Sequence, residues 1–248
     1  MCLSKERNAK IDLGAMVAGV DGCRSGWFCV TREPGSLEIG SRLFPDAASL
    51  LRQLPLPTVI GIDMPIGLTE AGRRACDVDA RKVLGWPRSS SVFSAPIRPA
   101  LRATSHAEAT RITRRRDGRG VAAQAWGIYR KVRELDMALT RDASICARVF
   151  EVHPELSFHE LNGGQSIVAG KRTPEGHRAR RRLLGRQFGR GVFSSIRKSY
   201  AVNDVADDDI LDAFAVLWSA ERIARGIANV LPVPPPGDRK GIPMGIWY

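Results

Sequence analysis

Two apolar runs, each ending in an aspartate and a turn, do most to limit the folds open to this 248-residue chain. The first, Met16-Val-Ala-Gly-Val-Asp21, turns at Gly22 and resumes after Gly26 as Trp27-Phe-Cys-Val-Thr31, the pattern of a hairpin. The second, Thr58-Val-Ile-Gly-Ile-Asp63, is nearly all apolar before its acid, as expected of a strand buried on both faces. A charge at the end of such a strand is costly unless it is paired or metal-bound. In open α/β sheets, the carboxyl ends of strands are where ligands bind. Taken singly, Asp21 beside Gly22 also suits a solvated turn. The second strand-end acid, Asp63, turns the reading toward a site.

The remaining pattern predicts an α/β domain over residues 16–248, preceded by a disordered tail, 1–15. Ser36–Phe44 reads as a third strand, and Pro45-Asp46 opens a short helix to about Gln53. Residues 69–148 read as a helical insertion with helices at Arg73–Leu84, Ser105–Arg116 and Val121–Arg141. The first should be laced by the pairs Arg73/Asp77 and Asp77/Arg81, each four apart. Ala147–Val152 returns to strand character and leads into Glu151-Val-His-Pro-Glu155; strand alternation would put Glu151 and His153 on one face. Leu156–Leu161 and Pro174–Phe188 are helical, and Met244–Tyr248 offers a further short strand. The last helix, Val205–Arg225, stops at Gly226 and carries Asp207, Asp208, Asp209 and Asp212 in its first turns. Acids suit a helix N-terminus, but Asp212 lies deeper, where like charges three and four apart destabilise unless a cation answers them.

Some activities are disfavoured. No GxSxG elbow and no P-loop occurs, and the five cysteines show neither a CxxC pair nor metal spacing. Those cysteines read as reduced, mostly buried thiols, and no apolar run approaches a membrane span, so a soluble cytoplasmic protein is expected. A net charge of +12 favours a polyanionic partner, although Arg far outnumbers Lys, as a compositional bias would also produce. The excess base gathers in 69–148 and 171–198, with dense clusters at Arg114-Arg115-Arg116 and at Arg178, Arg180, Arg181 and Arg182. Ser90 and Ser91, in a loop between prolines, are candidate phosphate ligands or simply loop. His153 can shuttle a proton, touch phosphate or cap a strand end.

Taken together, Gly19-Val-Asp-Gly-Cys-Arg-Ser-Gly-Trp27, Ile62-Asp-Met-Pro-Ile-Gly-Leu68, Arg74-Ala-Cys-Asp77 with Ala80-Arg81, Ser90-Ser-Val-Phe93 with Pro96, Glu151-Val-His-Pro-Glu155 and Asp208-Asp-Ile-Leu-Asp-Ala213 resemble the DUF429 family of predicted RNase H-like nucleases. More broadly, the layout is similar to the resolvase-like branch of the ribonuclease H-like superfamily. The resemblance implies a mixed five-stranded sheet flanked by helices, with a helical insertion between strands four and five. It also implies two Mg²⁺ or Mn²⁺ ions held by Asp21, Asp63, Asp209 and Asp212, with Glu151 as an extra ligand or base and Asp208 in a capping role. Arg24, Arg74, Arg81, Ser90, Ser91, His153 and Lys171 would then contact substrate. The implied reaction is two-metal hydrolysis of nucleic acid, with DNA or RNA, and monomer or homodimer, left open. Two other readings stand beside it: a non-catalytic nucleic-acid or protein-binding module on the same fold, and an actin-like nucleotide-binding enzyme. One hairpin in 248 residues argues against the latter.

Overall fold

The computed structural model describes residues 15–248; the expected tail, except for Ala15, lies outside the described residues. The first five strands are β1 (Val17–Cys23), β2 (Gly26–Arg32), β3 (Gly40–Phe44), β4 (Val59–Ile62) and β5 (Val149–Val152). Two more, β6 (Val230–Leu231) and β7 (Ile246–Trp247), extend the sheet to seven strands in the order β3-β2-β1-β4-β5-β7-β6. The expected five-stranded sheet is therefore corrected to seven. The tail Pro232–Tyr248 folds back beside β5, and β7 pairs parallel to it. β7 lies within the strand expected at Met244–Tyr248; β6, only two residues long, is too short to show a period of two.

β1, β4 and β5 run parallel, while β1 and β2 form the antiparallel hairpin expected from the glycines around Asp21. The short helix α1 (Ala47–Leu51) joins β3 to β4, capped by the Asp46 carboxylate, which accepts from Ser49 N at 2.7 Å. Between β4 and β5 stand α2 (Ala75–Leu84), α3 (His106–Asp117), α4 (Ala123–Gly127), α5 (Tyr129–Arg141) and α6 (Ala143–Cys146). The single helix expected at Val121–Arg141 is two, broken where Gly127, a weak helix former, meets Ile128. After β5 come α7 (Pro154–Leu161), α8 (Pro174–Phe188), α9 (Val192–Arg197) and α10 (Asp207–Ala224).

Strand alternation divides the core between the two faces of the sheet. Val17, Val59, Phe150 and Val152 join the α10 side, whereas Ala18, Val20, Ile60, Ile62 and Val149 join the core that holds Val132 and Leu135 of α5 and Leu50 of α1. α10 lies against β1 and β4 where two glycines remove the side-chain layer. A Cβ on Gly19 would come within 2.2 Å of Leu217 N and 2.3 Å of Ala213 O, and one on Gly61 within 2.8 Å of Val216 Cγ1. Helix backbone thus rests almost directly on strand backbone. That close approach brings the acidic first turns of α10 down to the ends of β1 and β4.

Candidate functional site

The sheet register decides which acids can meet. Val20 pairs with Ile62, and Asp63 N donates to Val20 O at 2.9 Å, so Asp21 and Asp63 follow at the same level of two adjacent parallel strands. They share the face of Gly19 and Gly61, the face on which α10 lies. Ile62 pairs with Glu151, which puts Glu151 on the opposite face. The structure therefore brings Asp21 and Asp63 together with Asp212 and Asp209 of α10, while Glu151 reaches the same cleft from the other face of the sheet. Its carboxylate is taken up elsewhere. Arg74 grips it in a fork, Nη1 to Oε2 at 2.6 Å and Nη2 to Oε1 at 2.7 Å, and Ile66 N donates to Oε2 at 2.7 Å.

Electrostatics within the cluster follow from burial and like charge. Asp21 is 7 % exposed, and its pKa stands well above the ordinary value, first through burial and then through Asp63, Asp212 and Asp209. Burial and Asp212 push Asp63 up to about 7. Asp209 rises to about 6, again chiefly by burial, although one of its oxygens accepts the backbone N–H of Ala206 at 2.8 Å. Asp209 thus caps α10, the role expected of Asp208. Asp212, 2 % exposed, is raised by burial against the opposing pull of Lys171.

Lys171, expected to contact substrate, lines the cleft and lies among these acids. Its Nζ donates to Asp212 Oδ2 at 2.5 Å and stands 3.7 Å from Asp208 Oδ2. Burial disfavours its charge, yet Asp212 and Asp21 hold its pKa above the ordinary value. The other Asp212 oxygen, Oδ1, is buried with no hydrogen-bond partner among the described residues. Hard oxygen donors from Asp21, Asp63, Asp209 and Asp212, with one buried oxygen left over, suit a divalent cation such as Mg²⁺ or Mn²⁺. Among the described residues, no three Asp, Glu, His or Cys side chains stand grouped as a ready metal cage.

A cleft of about 270 Å³ opens over the cluster, lined by Asp21, Asp63, Lys171 and Asp212 from below and by Arg88, Ser91, Val92 and Phe93 from the loop after α2. Other expected substrate contacts are occupied by the fold. Arg74 is 2 % exposed and clamps Asp77 as well as Glu151, so Asp77 answers Arg74 rather than Arg73 or Arg81. Arg81 ties down the cleft loop, donating to Val92 O at 2.6 Å and Ser94 Oγ at 3.2 Å. The hydroxyls of Ser90 and Ser91 donate within their own turn, to Pro87 O and Arg88 O, each at 2.7 Å.

His153 caps α7: its Nδ1 accepts from Glu155 N at 3.2 Å, which leaves Nε2–H facing Ser91 O at 3.4 Å. Burial lowers its pKa, so it is neutral there. Arg24 is exposed beside the hairpin turn and does not line the cleft.

Sequence reasoning missed Glu155 and Arg180. Arg180, expected on a basic surface, is fully buried and doubly bonded to Glu155, Nη2 lying 2.7 Å from each oxygen. Glu155 lines the cleft and adds negative charge near Asp63 and Asp212. Its place in the Glu151-Val-His-Pro-Glu155 motif was the available signal. Arg178 and Arg182 remain exposed on α8, as do Arg114, Arg115 and Arg116 at the end of α3, where cations suit the helix C-terminus. The side chains of Cys23, Cys29, Cys76 and Cys146 are all buried. No helix among the described residues is long and apolar enough to cross a membrane.

The family model described as "Protein of unknown function (DUF429)" matches residues 19–237, and the chain belongs to that family. No curated protein and no solved structure matches it.

Proposed function

We propose that this DUF429 member is a metal-dependent nuclease on a ribonuclease H-like fold, hydrolysing phosphodiester bonds of nucleic acid. One observation carries the reading: four carboxylates whose pKa values are raised chiefly by burial, Asp21, Asp63, Asp209 and Asp212, gather at the ends of β1 and β4 and the start of α10, three of them (Asp21, Asp63 and Asp212) line an open cleft, and a buried Asp212 oxygen lacks a partner among the described residues. The strand order β3-β2-β1-β4-β5, with β1, β4 and β5 parallel, supports that fold. When bound, Mg²⁺ or Mn²⁺ would supply Lewis-acid charge at the attacking and leaving oxygens. Asp21 and Asp63 would hold it from the strands, and Asp212 and Asp209 from α10.

The protein's own groups supply the rest. Arg88 lines the same cleft as the acids, a donor for a phosphate oxygen, and its Nε is buried without a partner among the described residues. Exposed arginines on α3 and α8 draw a polyanion toward an otherwise acidic cleft. Glu151 and Glu155, each locked by an arginine, brace the cleft floor rather than accept a proton.

A second reading has a specific observation in its favour. Lys171 already neutralises part of the cluster, as it would in a non-catalytic module that binds nucleic acid through its basic surface. Labelled single- and double-stranded DNA and RNA, incubated with the purified protein, distinguish the two. The nuclease reading expects cleavage that needs Mn²⁺ or Mg²⁺, stops with chelator and weakens steeply with salt. Salt-sensitive binding with no cleavage in either metal would favour the binding module.

A further inference from the structure

Two of the buried acids that line the cleft are held by arginine. Arg74 and Arg180 fork onto two oxygens each of Glu151 and Glu155, with side chains 2 % and 0 % exposed. The cation on Asp212 is different. Lys171 makes one hydrogen bond to one oxygen, its side chain is 38 % exposed, and it sits in a turn between helices rather than within one. An arginine fork is fixed in geometry, whereas a lysine ammonium is a point charge on a flexible four-carbon stem.

Lys171 also stands between two hollows. On one side is the carboxylate cleft. On the other is a shallow, open surface hollow bordered by Arg172, His177, Arg178, Asp207 and Asp208. Asp208, already 3.7 Å from the ammonium, offers it a second carboxylate on that side. Asp212, which lines the cleft, keeps a buried oxygen without a hydrogen-bond partner among the described residues.

We infer that Lys171 is a displaceable counter-ion, its ammonium taking a cation's place beside Asp212 in the metal-free protein and moving toward Asp208 and the open hollow beyond it when a divalent ion enters. The inference rests on reading the cluster as a metal site. Its physical basis is repulsion: an ammonium at 2.5 Å from Asp212 Oδ2 and a divalent ion on the same carboxylate repel strongly in a partly dry cleft. Metal affinity is then set by competition with a residue of the chain itself. The device keeps the cluster neutralised and folded without metal, and it frees a cation next to the cleft when metal arrives.

Calorimetric titration of Mn²⁺ into metal-free protein at pH 8, without substrate, tests this on the parent and on Lys171→Met. The variant should bind at least about tenfold more tightly, about 1.4 kcal/mol. Equal or weaker binding by Lys171→Met, with measurable binding by the parent, would overturn the displacement while leaving the metal site standing. No binding by either protein at millimolar Mn²⁺ would overturn both. A second readout needs no variant. Amine acylation at Lys171, followed by mass spectrometry of the native protein, should speed up several-fold on adding Mn²⁺; an unchanged or slower rate would count against release of the ammonium.

Discussion

Asp21→Asn is expected to reduce metal-dependent cleavage by about a thousandfold or more, since a metal's charge stabilisation is worth several kcal/mol and each 1.36 kcal/mol is tenfold. Asn keeps the shape of the side chain and the turn at Gly22 but removes the charge that faces Asp63, Asp209 and Asp212. Nucleic-acid binding, carried by the exposed arginines, should be retained.

The same change should raise the stability of the metal-free protein. Asp21, Asp63, Asp209 and Asp212 all have folded pKa values above their unfolded ones, Asp63 at about 7 and Asp209 at about 6. Between about pH 4 and pH 7 the folded chain therefore binds more protons than the unfolded chain, and their contribution to stability falls as pH rises through that window. Removing Asp21 takes away one such group and relieves its neighbours. The metal-free variant should gain about 1–2 kcal/mol at pH 8 and show a flatter loss of stability from pH 5 to 8. Urea unfolding at the two pH values measures this. A variant that cleaves like the parent, or a destabilised one, would mean that Asp21 is not in a repulsive metal-holding cluster.

The second large effect lies away from the chemistry. Arg74→Met should destabilise the fold by about 3–5 kcal/mol, the cost of stranding a buried charge. Arg74 answers two acids at once, Asp77 at 2.5 Å and Glu151 at 2.6 Å, and also donates to Ile66 O at 3.1 Å. Without it both carboxylates remain buried beside each other. Glu151→Gln in the same background should restore part of the loss, because one of the stranded charges is gone. Urea midpoints for the single and double variants decide the matter. A loss below about 1 kcal/mol would show that the pair is as dispensable as a surface ion pair.

How much of this was legible in the sequence depends on how local each signal is. Asp21 and Asp63 could be read because apolar runs of five residues or so announce strands, and the acid and turn follow at once. Asp212 stood out because it lies beyond the first turn of its helix, where a macrodipole account of acids no longer applies. Glu151 looked like a fifth member of the cluster for the same local reason. Its exclusion depends on the pairing of Ile62 with Glu151, a register that no single strand reveals.

Arg180 was misplaced, and the acid partner of Lys171 missed, for a related reason. A basic residue in a polar stretch reads as surface, and only the fold brings Asp212, 41 positions away, and Glu155, 25 positions away, against them. The capping role expected of Asp208 went to Asp209 because the helix begins at Asp207, after Ala206, and the third helical residue is the one that reaches back to the cap N–H. β7 falls inside the strand expected at Met244–Tyr248, whereas β6 is two residues long, below the length at which alternation carries information.

The central claim is that the acids of β1, β4 and α10 form a divalent-metal site, and anomalous scattering from Mn²⁺-soaked crystals tests it most directly. The account predicts a manganese peak ligated by Asp21, Asp63 and Asp212, with the Lys171 ammonium drawn away from Asp212. Saturating Mn²⁺ with no peak among those three carboxylates, and Lys171 still bonded to Asp212, would contradict it.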